Sequence, residues 1–164
     1  MSVLIPVLIV LGTVIVMEVS AAWIHEHVMH SEWGWRWHRS HHEPTDGLFE
    51  TNDLYSVCFA ALSMGIFLAA GLLWAPLFWV GVGLCVYGVI YYVAHDGLVH
   101  QRWPFRAVPK SGYLRRIYQA HRLHHAVRGR EGCVSFGFVL VPSIRALREE
   151  LARKHGGRVD WGRD

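Results

Sequence analysis

LFWVGVGLCVYGVIYYVAHDGLVH, residues 77–100, is the stretch that decides the fold. From Leu77 to Ala94 it carries no charge, and it then delivers His95 and His100 with Asp96 beside them. A helix rises about 1.5 Å per residue, so about 20 apolar residues cross a hydrocarbon core about 30 Å thick. This run therefore reads as a transmembrane helix with two imidazoles at its end. The chain opens in the same way: Val3 to Ile24 is apolar apart from Glu18 and runs into HEHVMH, residues 25–30. A third uncharged run, 54–74, precedes Pro76, which fits a tight turn into the next span.

Working outward, the sequence predicts an all-α integral membrane protein with three transmembrane helices, at about 3–24, 54–74 and 77–94. The first run lacks a basic leader and a small-residue cleavage site, which favours a retained anchor over a signal peptide. The chain has 164 residues, 52% of them hydrophobic, and a mean hydropathy of +0.23, so a single membrane-embedded domain, 1–164, is expected. Disorder is excluded by the aliphatic and aromatic content. Cys58, Cys85 and Cys133 are too few and too scattered for a disulfide scaffold or a cysteine-based zinc site.

All sixteen Lys and Arg fall at Arg36, Arg39 or from Arg102 onward. The positive-inside rule makes that side cytoplasmic. CVSFGFVLV, residues 133–141, is too short to span and is followed by Pro142, so it is expected to be a buried or re-entrant fourth segment covering the cytoplasmic site. At about 143–155, Ile144, Leu147 and Leu151 share one helical face, with Arg145, Arg148, Arg153 and Lys154 elsewhere. That pattern suits either an amphipathic helix on the anionic inner leaflet or a solvated terminal helix. Ala61, Gly65 and Ala69 form a small-residue stripe that predicts close helix approach. Gly81, Gly83 and Gly88 follow no strand and do not read as a cofactor loop.

Ten of the twelve histidines form four clusters: His25 and His30; His38, His41 and His42; His95 and His100; His121, His124 and His125. The spacing is H-x4-H, then H-x2-HH, then the same pair again. On an α-helix i, i+3 and i+4 share a face, so each H-x2-HH turns three imidazoles towards one region. Positions i and i+5 lie about 140° apart and about 7.5 Å along the axis, an arrangement expected to lay each helix across two metals. A bis-histidine haem needs only two to four ligands facing each other within the bilayer, and six of the ten lie in polar cytoplasmic segments. A cytoplasmic-face, histidine-rich dinuclear metal cap is the better reading. A metal transporter is disfavoured because the imidazoles gather at one face.

Two nearby patterns fail residue by residue. HEHVM, residues 25–29, puts Met29 where the zinc-protease helix needs histidine, and no Glu has His three residues later, as soluble di-iron bundles require. Imidazole donors admit iron, zinc, copper or nickel. His27 turns away from His25, and His155 lies in the charged tail, so neither is expected to be a ligand. Asp96, Glu43, Asp46 and Asp53 are candidates to accept the second N–H of a ligating ring. Glu18, an acid within an apolar run, is expected to face protein.

Five segments carry a family resemblance: WIHEHVMH (23–30), WGWRWHRSHH (33–42), ETNDLYSVCFA (50–60), YVAHDGLVHQRWP (92–104), and RIYQAHRLHHAV (116–127) with CVSFGF (133–138). They resemble the membrane fatty acid hydroxylase superfamily and, more narrowly, the bacterial β-carotene hydroxylases, across most of residues 18–141. The bare histidine pattern is shared with desaturases and sterol or lipid hydroxylases; the HDGLVHQR, NDLY and AHRLHHAV contexts narrow it. His27 stands where the resembling sequences commonly carry a basic residue.

The resemblance implies C3 hydroxylation of the β-ionone rings, taking β-carotene through β-cryptoxanthin to zeaxanthin at two non-haem irons held by the ten histidines. Zinc or another metal can replace iron in purified protein. O2 and electrons from reduced ferredoxin are implied, with the carotenoids arriving from the membrane lipid of a bacterial inner membrane. No nucleic acid is implied. Trp23, Phe49, Tyr91, Tyr92 and Leu98 are candidate pocket walls. Arg102, Arg106, Arg115 and Arg116 could dock an acidic ferredoxin. A carotenoid ketolase, or a hydroxylase or desaturase of another lipid, is the enzyme alternative. A haem electron carrier or metal transporter is the alternative from another class.

Overall fold

The computed structural model describes residues 3–43, 49–102 and 106–156. Among them there is no strand. Six α-helices follow in order: α1 Leu4–Ile24, α2 Trp35–His42, α3 Asp53–Leu72, α4 Leu77–Tyr91, α5 Gly112–His124 and α6 Ile144–Lys154. Three helical stretches are long and apolar enough to cross a membrane: Leu4–Met29, Asp53–Leu72 and Leu77–Val99. Their exposed Val, Leu, Ile and Phe side chains belong against lipid, where apolar surface carries no penalty.

α4 is the central span, with α1 and α3 packed on it. Its glycines, rather than the Ala61/Gly65/Ala69 stripe, allow the close approach. A Cβ on Gly83 would lie 2.6 Å from Thr13 Cβ, and one on Gly81 2.8 Å from the Phe67 ring, whereas Gly65 has nothing within 4 Å. Small residues show only that an approach is possible; the partner decides which ones are used.

The two H-x4-H clusters are not α-helical. α1 continues into a π-helical turn, His25–Met29, and α4 into a π-helical stretch, Tyr92–Val99. The His30 N–H donates to His25 O (3.2 Å) and the His100 N–H to His95 O (2.9 Å). Such i→i+5 bonding is rare and concentrates at functional sites. It places i and i+5 one turn apart on one face, which overturns the expectation that each pair lies across two metals.

Beyond the spans, α5 and α6 pack against each other. Ser143 Oγ caps α6 by accepting from the Ala146 N–H at 3.2 Å. Leu147 and Leu151, 1% and 0% exposed, join Ile117, Ala120, Leu123, Val134 and Val141 in one apolar core. The apolar face of α6 is thus spent on protein, leaving its arginines outward, and neither a leaflet-bound nor a fully solvated helix describes it. Residues 133–141 form an irregular strap that bends at 138–140 and does not span; Cys133, Val134, Ser135, Phe138 and Val141 are buried.

Candidate metal centre

The ten clustered histidines converge where α1, α4 and α5 end and α2 crosses them. Eight are buried, and His100 and His125 are partly so. They sort into two sets of five through their Nε2 atoms. In the first, the Nε2 separations are His25–His38 3.1 Å, His38–His42 3.3 Å, His42–His124 3.2 Å and His124–His30 3.3 Å. In the second they are His41–His95 3.0 Å, His100–His121 3.0 Å and His121–His125 2.9 Å. Each H-x2-HH is therefore divided between sets: His38 and His42 go to the first and His41 to the second, while His124 goes to the first and His121 and His125 to the second. Each H-x4-H stays whole. His41 and His42 bring the sets together, with the ring of His42 4.5 Å from that of His125.

The outward-facing nitrogens determine what the inward ones can do. Nδ1 of His25 donates to Phe136 O (2.9 Å), His30 to Arg130 O (2.7 Å), His42 to Val127 O (3.0 Å) and His124 to Val134 O (3.0 Å). His38 Nδ1 donates to Asn52 Oδ1 (2.7 Å), His41 to Glu50 Oε2 (3.1 Å) and His95 to Asp96 Oδ1 (2.8 Å). These oxygens only accept, so the proton sits on Nδ1 and each neutral ring turns a lone pair inward.

The rings are held neutral. Burial, aided by neighbouring imidazoles, lowers His38 to about 2 and His42 to about 4. Burial and then Arg102 lower His100 to about 4, and burial with its neighbours lowers His125 to about 2. His41, His121 and His124 are driven well below 6.5, chiefly by burial.

Two lone pairs about 3 Å apart repel unless a cation lies between them. A metal about 2.1 Å from each nitrogen, with ligands at right angles, sets the nitrogens about 3.0 Å apart. The donor sets fit metal ions in both number and spacing. Four-residue subsets, His25/His30/His38/His124 and His41/His95/His100/His121, each keep their donor atoms within 4.8 Å of one another. Cys133 Sγ also lies within 4.8 Å of ring nitrogens of His42 and His124, a grouping the sequence did not suggest. Its thiol is pushed up to about 12 by burial and donates to Gly129 O at 3.6 Å, so it stands beside the first set as a protonated neighbour.

Of the four carboxylates proposed to orient histidines, Asp96 meets His95. Glu43 is exposed and pairs with Arg39 at 2.8 Å instead. Asp53 meets no histidine: Arg102 donates to it through Nη1 (3.0 Å) and Nη2 (3.2 Å) while also approaching Glu50 (3.4 Å) and Asp96 (3.8 Å). Asp46 lies outside the described residues. Sequence reasoning missed Glu50, Asn52 and the four backbone carbonyls. Glu50 and Asn52 sit within the quoted ETNDLY stretch beside Asp53, a proximity that could have flagged them; the carbonyls have no sequence signal at all.

Among the pocket candidates, Trp23, Phe49 and Tyr92 are exposed, and Leu98 is half-buried. Tyr91 stacks on His95 with centroids 4.5 Å apart. Phe138, not anticipated, touches both sets: its ring lies 5.5 Å from His25 and 5.2 Å from His95. His27 stacks on Trp23, and His155 approaches Gly132 O at 3.2 Å, both away from the two sets. A cleft of about 390 Å³ reaches the cap between His42, His100, His125, Tyr118, Arg122 and Arg128. Of the arginines proposed for docking, Arg102 serves carboxylates, Arg115 donates to Pro109 O (3.3 Å) and Arg116 to Pro142 O (3.0 Å); Arg106 is exposed.

Comparison with known proteins bears on this geometry. The fatty acid hydroxylase family model matches residues 10–142. "Beta-carotene hydroxylase" of Pantoea ananas is 58% identical over 158 residues, covering 96% of this chain and 89% of that one. The protein of the same name from Paracoccus sp. (strain PC1) is 54% identical, covering 89% and 90%. "Beta-carotene 3-hydroxylase 2, chloroplastic" of Arabidopsis thaliana is 36% identical, over 90% of this chain and 50% of its own length. No solved structure matches. With the family's model running through all four histidine clusters, the chain belongs to the fatty acid hydroxylase family.

Proposed function

We propose that this protein is a β-carotene hydroxylase, an O2-dependent oxidoreductase that hydroxylates both β-ionone rings at C3, giving β-cryptoxanthin and then zeaxanthin. The observation that carries the chemistry is the pair of five-imidazole sets at one end of the three spans. Similarity to β-carotene hydroxylases over nearly the whole chain supports the substrate.

Two iron ions held by His25, His30, His38, His42 and His124 and by His41, His95, His100, His121 and His125 would supply the O2 activation that an inert C–H bond requires. The chain's own work is to bind, orient and exclude water. Carbonyls, Asn52, Glu50 and Asp96 fix seven imidazoles in the Nδ1–H tautomer and so aim Nε2 inward. Phe138 faces both sets and Tyr91 packs on it beside His95, a wall against which a β-ionone ring from the bilayer would lie. Arg122 and Arg128 line the cleft and suit an acidic donor such as ferredoxin. Clustering of the cations on the side of the cap supports a cytoplasmic site in a bacterial inner membrane.

The test is expression in cells that accumulate β-carotene, with pigments resolved by chromatography beside His124→Ala. β-Cryptoxanthin and zeaxanthin are expected from the intact chain alone. Echinenone or canthaxanthin would make it a ketolase, and unchanged β-carotene with confirmed expression and ample ferredoxin would point to another lipid.

A further inference from the structure

Glu18 is buried in the middle of α1, 4% exposed, and its partners lie far away in sequence. Its Oε1 accepts from the backbone N–H groups of Phe138 (3.0 Å), Val139 (2.7 Å) and Leu140 (2.7 Å). Its Oε2 accepts from Tyr87 Oη–H of α4 at 2.9 Å. Three consecutive amides on one carboxylate oxygen form a charge-assisted nest. The strap bends at 138–140, with no sheet partner for those amides, so the carboxylate satisfies groups whose burial is otherwise costly.

The same strap orients the first histidine set. Val134 O accepts from His124 Nδ1 and Phe136 O from His25 Nδ1. Glu18 on α1 and His25, the first residue of its π-helical continuation, are seven residues apart, two turns along one face, about 10 Å. One helix thus holds the strap at two points, at amides 138–140 and at carbonyl 136. The second set takes nothing from the strap's backbone: His41 and His95 rest on Glu50 and Asp96.

From this geometry we infer that Glu18 is a positioning residue for one metal of the two, fixing the strap whose carbonyls aim His25 and His124 while reaching the second set only through the Phe138 ring against His95. The inference rests on the two-metal reading. Glu18 touches neither set itself. Gly137 belongs to the same device, because a Cβ there would meet Leu140 O at 2.8 Å and Glu18 Oε1 at 3.1 Å.

The experiment measures metal retained per chain in the detergent-purified holoprotein at graded chelator concentrations. Wild type should hold two ions; fewer than two in wild type would overturn the two-metal reading itself. In Glu18→Ala one ion should leave at about 10- to 100-fold less chelator, the loss typical when an imidazole's outer partner is removed, while the other behaves as in wild type. Adding His100→Ala should release the remaining ion, and adding His30→Ala should leave it in place. Glu18→Gln, which keeps an acceptor oxygen, should restore most of the difference. If Glu18→Ala does not fold, Gly137→Ala, which crowds the clamp without removing its charge, should give the same one-ion signature. Two ions held as in wild type, or both weakened equally, in whichever variant folds would overturn the role assigned to Glu18.

Discussion

Arg102 does for the second histidine set what the strap does for the first, and its replacement separates two roles that sequence alone cannot. Its guanidinium grips Asp53 with both terminal nitrogens, 3.0 and 3.2 Å, and approaches Glu50 at 3.4 Å and Asp96 at 3.8 Å. Glu50 and Asp96 are the acceptors for His41 and His95. Arg102→Ala leaves three carboxylates facing one another without their cation. Breaking a fully desolvated pair costs about 3–5 kcal/mol; with the Arg102 side chain 25% exposed, about 2–3 kcal/mol of stability is the appropriate figure. Each imidazole that loses its acceptor weakens metal binding about 10- to 100-fold. With two at stake, the second set should release its ion at between about 10-fold and about 10⁴-fold less chelator, the first being spared. Arg102→Lys keeps the charge but not the fork and should fall between. The assay is metal per chain against chelator concentration, with ferredoxin-supported turnover measured alongside. Unchanged metal retention combined with lost ferredoxin-supported turnover would refute this reasoning and return Arg102 to the docking role.

Acid should open the cap. Folded-state values of about 4 for His42 and His100 lie below the unfolded value of 6.5. The unfolded chain therefore binds protons that the folded one refuses; stability is complete above about pH 6.5 and falls as pH drops towards 4. Metal retention and thermal unfolding measured from pH 7.5 to 4.5 should decline together, and a flat profile would contradict the burial argument. Cys133→Ala should leave the metal count unchanged, because five imidazoles already serve the first set and the thiol donates to Gly129 O; loss of an ion would make it a ligand. Gly83→Val should destabilise the α1–α4 contact by about 1–3 kcal/mol through overpacking, whereas Gly65→Ala should be silent in the same detergent unfolding assay. Equal effects would mean that α1 and α4 do not meet at Gly83.

The spans were legible in the sequence because lipid imposes a compositional rule that needs no partner: apolar runs at 77–94 and 54–74 can hardly fold otherwise. The ten histidines were legible for a similar reason, since no packing argument requires so many imidazoles at duplicated spacings. Their sorting was not. Assigning i and i+5 to different metals assumes α-helical geometry, and the π-turns at His25–Met29 and Tyr92–Val99 rotate the second imidazole back beside the first. Dividing His38 and His42 from His41 depends on how α2 crosses the ends of the spans, a tertiary fact with no local signal.

The carbonyls of Val127, Arg130, Val134 and Phe136 were invisible for a deeper reason, because backbone acceptors belong to every residue and only the fold selects them. Carboxylates carried a partial signal. Glu43 directly follows the second cluster in sequence and so was a candidate acceptor for it, yet Arg39, four residues before it on the same exposed face, reaches it first. Glu50, seven residues further on, is returned to His41 by the fold. The small-residue stripe on α3 failed similarly, since Gly65 meets nothing within 4 Å and the close approaches are made on α4 instead, by Phe67 of α3 at Gly81 and by Thr13 of α1 at Gly83.

Counting metal in the protein purified from iron-replete cells without chelators, by elemental analysis against quantitative amino-acid analysis, tests the central claim most directly. Two ions per chain, falling towards one in His30→Ala and in His100→Ala and lost when both are combined, is the result this structure predicts. One ion per chain, or a haem absorption band in place of non-haem metal, would contradict it.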